Sequence, residues 1–263
     1  MKIAVCIKQV PDTEARLRVG KDGRWIEEED LPFVINESDE CALEEGLRLA
    51  EKSGGEVVVF SLGPERVKEA LRKALALGAA RAVHLGHAAF QGGDALATGR
   101  ALAAAIARES FDLVLTGSQS EDLGFGATGT VVAGHLGWPH AWLVMGIEAE
   151  AGGTLRVVRE MESGVNEILR LPQPAVLEVQ AGLNQPRYAS LKGIMAAKKK
   201  EIAAVGPADL GLAEDEVGAA GSTLELISVA FPEAGGGAQI FEGDPAAAAR
   251  ALAAKLQSEA RVV

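Results

Sequence analysis

Aromatic residues are scarce in this chain, at 4% of 263 residues, and Tyr188 is the sole tyrosine. A core with so few rings has to be built from aliphatic side chains, and the 48% hydrophobic content supplies them. Cysteine is rarer still: Cys6 and Cys41 are the only two, which argues against a disulfide scaffold and for a reducing compartment. No apolar run approaches the roughly 20 residues that a membrane-spanning helix needs. Met1 to Lys8 run straight into a strand pattern with no targeting segment ahead, so a cytoplasmic protein is expected. Positive charge is also short. With 26 Lys and Arg against 37 Asp and Glu, the net charge of -11 opposes approach to nucleic acid. Only Asn36, Asn166 and Asn184 are asparagines, and with abundant Ala, Glu and Arg this leans towards a thermophile or a GC-rich genome.

What is present is an alternation. The short apolar runs Ile3–Ile7, Val57–Ser61, Ala82–Leu85 and Leu113–Thr116 are apolar at consecutive positions, as strands covered on both faces should be. Helical patterns lie between and after them, near Glu40–Lys52, Glu65–Leu77, Asp94–Glu109 and Phe125–Leu136. Such alternation predicts α/β architecture: a doubly wound, mostly parallel, flavodoxin-like sheet with right-handed crossovers. Leu17–Val19 and Arg24–Glu27 around Gly20–Gly23 predict an inserted β-hairpin. From Trp142 to Gln180 no helix is expected. Leu143–Ile147, Thr154–Arg159, Glu167–Leu171 and Ala175–Val179 read as an added antiparallel section with a turn at Gly152-Gly153. The division expected is residues 1–183 as a nucleotide-binding domain, 184–200 as a partner-recognition segment and 201–263 as a docking tail. That tail holds a strand candidate at Leu224–Val229, a break at Gly235–Gly237 and a final helix opened by Asp244-Pro245.

Ligands of open α/β sheets collect beyond the carboxyl ends of the strands. Three segments fall there: Cys6 to Lys8, Asn36 to Asp39, and the glycine-rich loop from Gly117 to Gly129 that leads into a helix. Backbone amides and the positive dipole end of that helix suit a phosphate. No Gly-Lys-Ser/Thr follows the glycines, which excludes a Walker loop. A loop that merely connects strand to helix is the alternative for such glycines taken alone; three segments at one sheet edge favour a nucleotide or anion site. His84, His87, His135 and His140 lack metal-ligand spacing and read as structural or solvated. Cys6 lies within a strand and reads as packing, and no catalytic triad or carboxylate pair is evident. Binding and carriage are indicated, not catalysis.

The segment Asn184–Lys200 sets Leu191, Ile194 and Met195 at helical spacing just before Lys198, Lys199 and Lys200. Pro186 and Gly193 make it a poor place to build core. Apolar residues beside a cationic block suit a partner surface, and a helix packed on its own domain is the alternative.

Several stretches together resemble the β subunit of electron transfer flavoprotein along nearly the whole chain. They are Ile3–Val10, Asn36 followed by Glu40, Ala42, Glu44 and Glu45, the run Val157–Val176, and above all Asn184–Met195 with its lysines. The resemblance implies a heterodimer with a larger α subunit that holds most of a redox-active FAD, while the β subunit holds AMP. It implies AMP contacts at Cys6, Asn36, Glu37, Ser38, Asp39, Leu62, Ser118, Gln119, Ser120, Asp122, Gly126, Ala127, Thr128 and Gly129. It further implies that Leu191 lies on a recognition loop for acyl-CoA dehydrogenases, with electrons passing on to a quinone reductase. Departures from the family pattern are Leu123-Gly124 and Gly126-Ala127, where relatives often carry polar side chains. A bifurcating branch with a second FAD in place of AMP ranks second, since its Asp-Gly-Asp-Thr loop is not found. ATP-binding stress proteins share the architecture but leave Asn184–Lys200 unaccounted for.

Overall fold

The computed structural model describes residues 1–233 and 237–262. In chain order the first half contains β1 (Lys2–Cys6), β2 (Gln9–Pro11), β3 (Phe33–Ile35), α1 (Glu37–Ser53), β4 (Glu56–Leu62) and α2 (Val67–Leu77). Then come β5 (Arg81–Leu85), α3 (Ala95–Ile106), β6 (Leu113–Gly117) and α4 (Thr128–Leu136). The remainder holds β7 (His140–Glu150), β8 (Thr154–Glu160), β9 (Asn166–Pro172), β10 (Ala175–Val179), α5 (Leu191–Ala197), β11 (Ile202–Val205) and α6 (Pro245–Lys255). The chain packs as two compact units, Met1–Arg18 with Glu27–Ile227, and Val19–Ile26 with Ser228–Val263.

The first unit is built on a nine-stranded sheet in the order β11-β5-β4-β1-β6-β10-β7-β8-β9. Pairing is parallel from β11 through β7 and antiparallel from β7 through β9. The sheet is doubly wound because consecutive residues of each strand are buried on opposite faces. Ile3, Val5, Val57 and Val59 pack with α1 and α2, while Ala4, Val58, Phe60 and Val114 pack with α3 and α4. From β1 the chain winds to β4 and β5 on one side, then returns to β6 on the other side of β1. The carboxyl ends of β1 and β6 therefore flank the point where the winding reverses, which is where such sheets open a crevice.

Three sequence expectations need correction. Ala175–Val179 is not part of the antiparallel section: β10 runs parallel between β6 and β7, and all five of its residues are buried, as befits a central strand. The hairpin around Gly20–Gly23 reduces to one bridge, Val19 to Ile26, in the second unit. Its arms are short and carry charges, with only Val19, Trp25 and Ile26 partly buried. Gln9–Pro11 and Phe33–Ile35 pair instead as an unexpected two-stranded ribbon. Leu224–Val229 forms no strand, and Leu224, Leu226 and Ile227 stand exposed. Gly152 and Gly153 do make the turn between β7 and β8, both at positive φ that glycine alone adopts readily. Asp244 caps α6 by accepting from the Ala247 amide. Of the expected break at Gly235–Gly237, Gly235 and Gly236 lie outside the described residues.

Candidate functional site

Asp39, in the first turn of α1, joins the two strands at the crevice. Its Oδ2 accepts from the Lys8 amide at 2.7 Å and its Oδ1 from the Gly117 amide at 2.8 Å. Burial pushes its carboxyl up to about 7, against the pull of these two amides, of Asn36 and of the Lys8 charge. Gly117 is required here, since a Cβ would run into the Ser38 hydroxyl and the Asp39 carboxylate.

Asn36 and Ser38 latch the glycine-rich loop onto this edge. The Asn36 amide donates to Gln119 O and Ser38 Oγ, both at 2.9 Å, and Asn36 Oδ1 accepts from the Glu121 amide at 3.0 Å. Ser38 Oγ donates to Gln119 O at 3.0 Å. Lys8 reaches over from the end of β1, its ammonium 2.6 Å from Asp122 Oδ1 and 3.3 Å from Ser120 Oγ. Asn36, Ser38, Asp39, Ser118, Gln119, Ser120 and Asp122 thus gather at one place, as expected. Cys6 is buried at the end of β1, and burial first, then the nearby Asp39 charge, holds its thiol far above the ordinary range, which disfavours the nucleophilic thiolate. Leu62, partly buried, ends the neighbouring strand β4, and Glu37 is exposed on α1.

The loop then turns at Gly124 and Gly126, both at positive φ, and enters α4 through Ala127. Ala127 offers no side-chain acceptor, so the first turn of α4, with Thr128 and Gly129, presents uncapped amides. Free amides at a helix entrance of this kind suit an anion. Lys8 was not among the expected contacts, although a lysine directly after the first strand is the available signal. Missed altogether was Glu178 on β10. It is 0% exposed, and it lies beneath the first turn of α4 with Thr130 and His140. Among the described residues, no group of His, Cys, Asp and Glu is placed to hold a metal ion.

The second candidate surface lies on α5. Leu191 is 83% exposed, Met195 61%, Ile194 40% and the preceding Tyr188 99%. Ser190 caps the helix by accepting from the Gly193 amide, and only Ala197 of its residues is buried. The apolar side chains are therefore not core. The backbone on either side is tied down: Arg187 pairs with the buried Glu44 and with Glu51, Asn184 donates to Cys41 O, and Arg72 donates to Ala197 O and Lys200 O. Lys198 and Lys199 are exposed, whereas the Lys200 ammonium donates to Ala79 O at 2.6 Å.

The fold is a doubly wound α/β sheet with a latched glycine-rich loop at its switch point, the place where such sheets take their ligands. The sequence model of the electron transfer flavoprotein domain matches residues 24–210. The chain is 42% identical over 238 residues to the electron transfer flavoprotein subunit beta of Methylophilus methylotrophus, covering 89% of this chain and 90% of that one. It is 38% identical to the subunit beta of Thermoanaerobacterium thermosaccharolyticum over 259 residues, 98% of both chains. The human subunit beta is 37% identical over 235 residues, 88% of this chain and 89% of that one. The chain belongs to the electron transfer flavoprotein β-subunit family, and an electron-transfer role follows from that membership.

Proposed function

We propose that this chain is the β subunit of a heterodimer that carries electrons from acyl-CoA and related dehydrogenases to a quinone reductase. The FAD is held mainly by an α subunit, and this chain holds AMP. The observation that carries the reading is the latch of Asn36, Ser38 and Asp39 on the loop from Ser118 to Asp122, with the uncapped first turn of α4 beyond it. The residues fit a nucleotide monophosphate: Thr128, Gly129 and their amides for the phosphate, with Gly126 and Ala127 leaving room for close approach. Cys6 and Leu62 would form an apolar wall for the base. When bound, FAD supplies the chemistry by taking up and releasing reducing equivalents. This chain's own part is to complete the assembly and to dock it on a donor through Leu191, Ile194 and Met195.

Production with an electron transfer flavoprotein α subunit from the same organism tests this reading. The expected product is a yellow heterodimer whose flavin absorbance is bleached by an acyl-CoA dehydrogenase and its substrate. A chain that stays monomeric in the presence of that α subunit contradicts it.

A further inference from the structure

Beneath the first turn of α4 lies an ionisable cluster that a phosphate site has no evident reason to contain. Glu178 is fully buried in the central strand β10. Its Oε1 accepts from Thr130 Oγ1 at 2.7 Å and lies 2.6 Å from His140 Nε2, while its Oε2 has no partner among the described residues. A hydrogen bond between an imidazole nitrogen and a carboxylate needs a proton between them, so Nε2 is the donor. The carboxylate sits directly under the helix entrance: a Cβ on Gly129 would fall 2.5 Å from Glu178 Cγ and 2.6 Å from Cδ. His140 is partly exposed at the start of β7, so it is the cluster's link to solvent.

An anion under a helix N-terminus draws on the same positive dipole end that a bound phosphate uses. Two negative groups on one helix end repel each other across a poorly solvated gap. A buried carboxylate at this place therefore weakens phosphate binding unless something offsets its charge.

We propose that His140 is a positioning residue for the nucleotide site: by donating from Nε2 it holds the Glu178 carboxylate in place beneath the first turn of α4, so that the carboxylate does not compete with a bound phosphate for that turn. The inference rests on the assignment of the nucleotide phosphate to α4 and deepens it. Glu178 acts through Thr130 and the packing of Gly129, and His140 acts through Glu178. Neither touches the nucleotide.

The test uses the heterodimer with the α subunit, stripped of bound nucleotide and titrated with AMP by calorimetry. His140→Ala should weaken AMP binding roughly five- to tenfold, the effect of a buried carboxylate released from its donor at short range. Adding Glu178→Gln to His140→Ala keeps an acceptor for Thr130, removes the charge, and should restore affinity to within about twofold of wild type. A purely structural cluster forecasts the opposite, with the double variant weaker than either single one. Should His140→Ala not fold, Glu178→Gln alone decides: unchanged or tighter AMP binding supports the proposal and weaker binding overturns it. Wild-type heterodimer that binds no AMP overturns the nucleotide assignment and this inference with it. Wild-type binding with no loss in His140→Ala, or with no rescue, overturns this inference alone.

Discussion

Asp39 shows what a single residue contributes when it closes a crevice. Its folded carboxyl, near 7 against an ordinary 3.8, binds more protons than the unfolded one between those values. Asp39 therefore favours folding below about pH 4, and that contribution fades as pH rises through 7, by on the order of 4 kcal/mol in full. Denaturant unfolding from pH 4 to 7 should show this falling slope in the wild type and a flatter one in Asp39→Asn; equal slopes contradict it. Gly129 is a second such position. Gly129→Ala sets a methyl against Glu178 and should cost about 1–3 kcal/mol in thermal or denaturant unfolding, with displacement of the α4 entrance. An undiminished stability contradicts the close packing. The importance of Gly117 and Gly129 is legible in the sequence only as a glycine-rich loop. Which atoms crowd them is not, because Ser38, Asp39 and Glu178 arrive from distant parts of the chain.

At the scale of elements, α5 makes the sharpest forecast. Leu191 is 83% exposed, so Leu191→Ala should leave the melting temperature and flavin spectrum nearly unchanged. If the side chain is buried by a dehydrogenase, its loss removes roughly 1.5–3 kcal/mol of binding, about a 10- to 150-fold weakening. Dehydrogenase-coupled flavin reduction and thermal unfolding of the same variant check both halves; lost stability with normal coupling contradicts the docking role. Rigid presentation is a separate matter. Glu44 is buried, which works to raise its carboxyl, yet hydrogen bonds from Arg187 and Arg48 hold it below the ordinary carboxylate range. Glu44→Ala leaves Arg187 only Glu51 and Arg48 only Gln185 O as acceptors, and should loosen the segment before α5. Faster trypsin cleavage after Arg187 is the expected result, and unchanged cleavage contradicts it. The central strands and their helices were legible in the sequence because consecutive apolar residues bounded by turns admit few other readings. The direction of β10 was not, since apolar content says nothing about which neighbour a strand joins. Glu178 within it reads in sequence as an ordinary polar interruption, and its partner His140 lies 38 residues away.

For the whole molecule, the sheet order sets the switch point beside β1 and β6, and several apolar side chains stand exposed. Leu224, Leu226 and Ile227 of the first unit and Phe231 and Ile240 of the second are exposed apolar side chains. Among the described residues no helix is long and apolar enough to cross a membrane. On the proposed reading an α subunit covers such residues, and an obligate interface of this kind should bury more than roughly 2,000 Å² in total. The most direct test of the account is a nucleotide count on the purified heterodimer, by acid extraction and chromatography against standards. The account predicts one FAD and one AMP per heterodimer, with AMP lost or reduced in Gly117→Ala. Two FAD and no AMP would contradict the nucleotide assignment and place the chain with the bifurcating branch of its family.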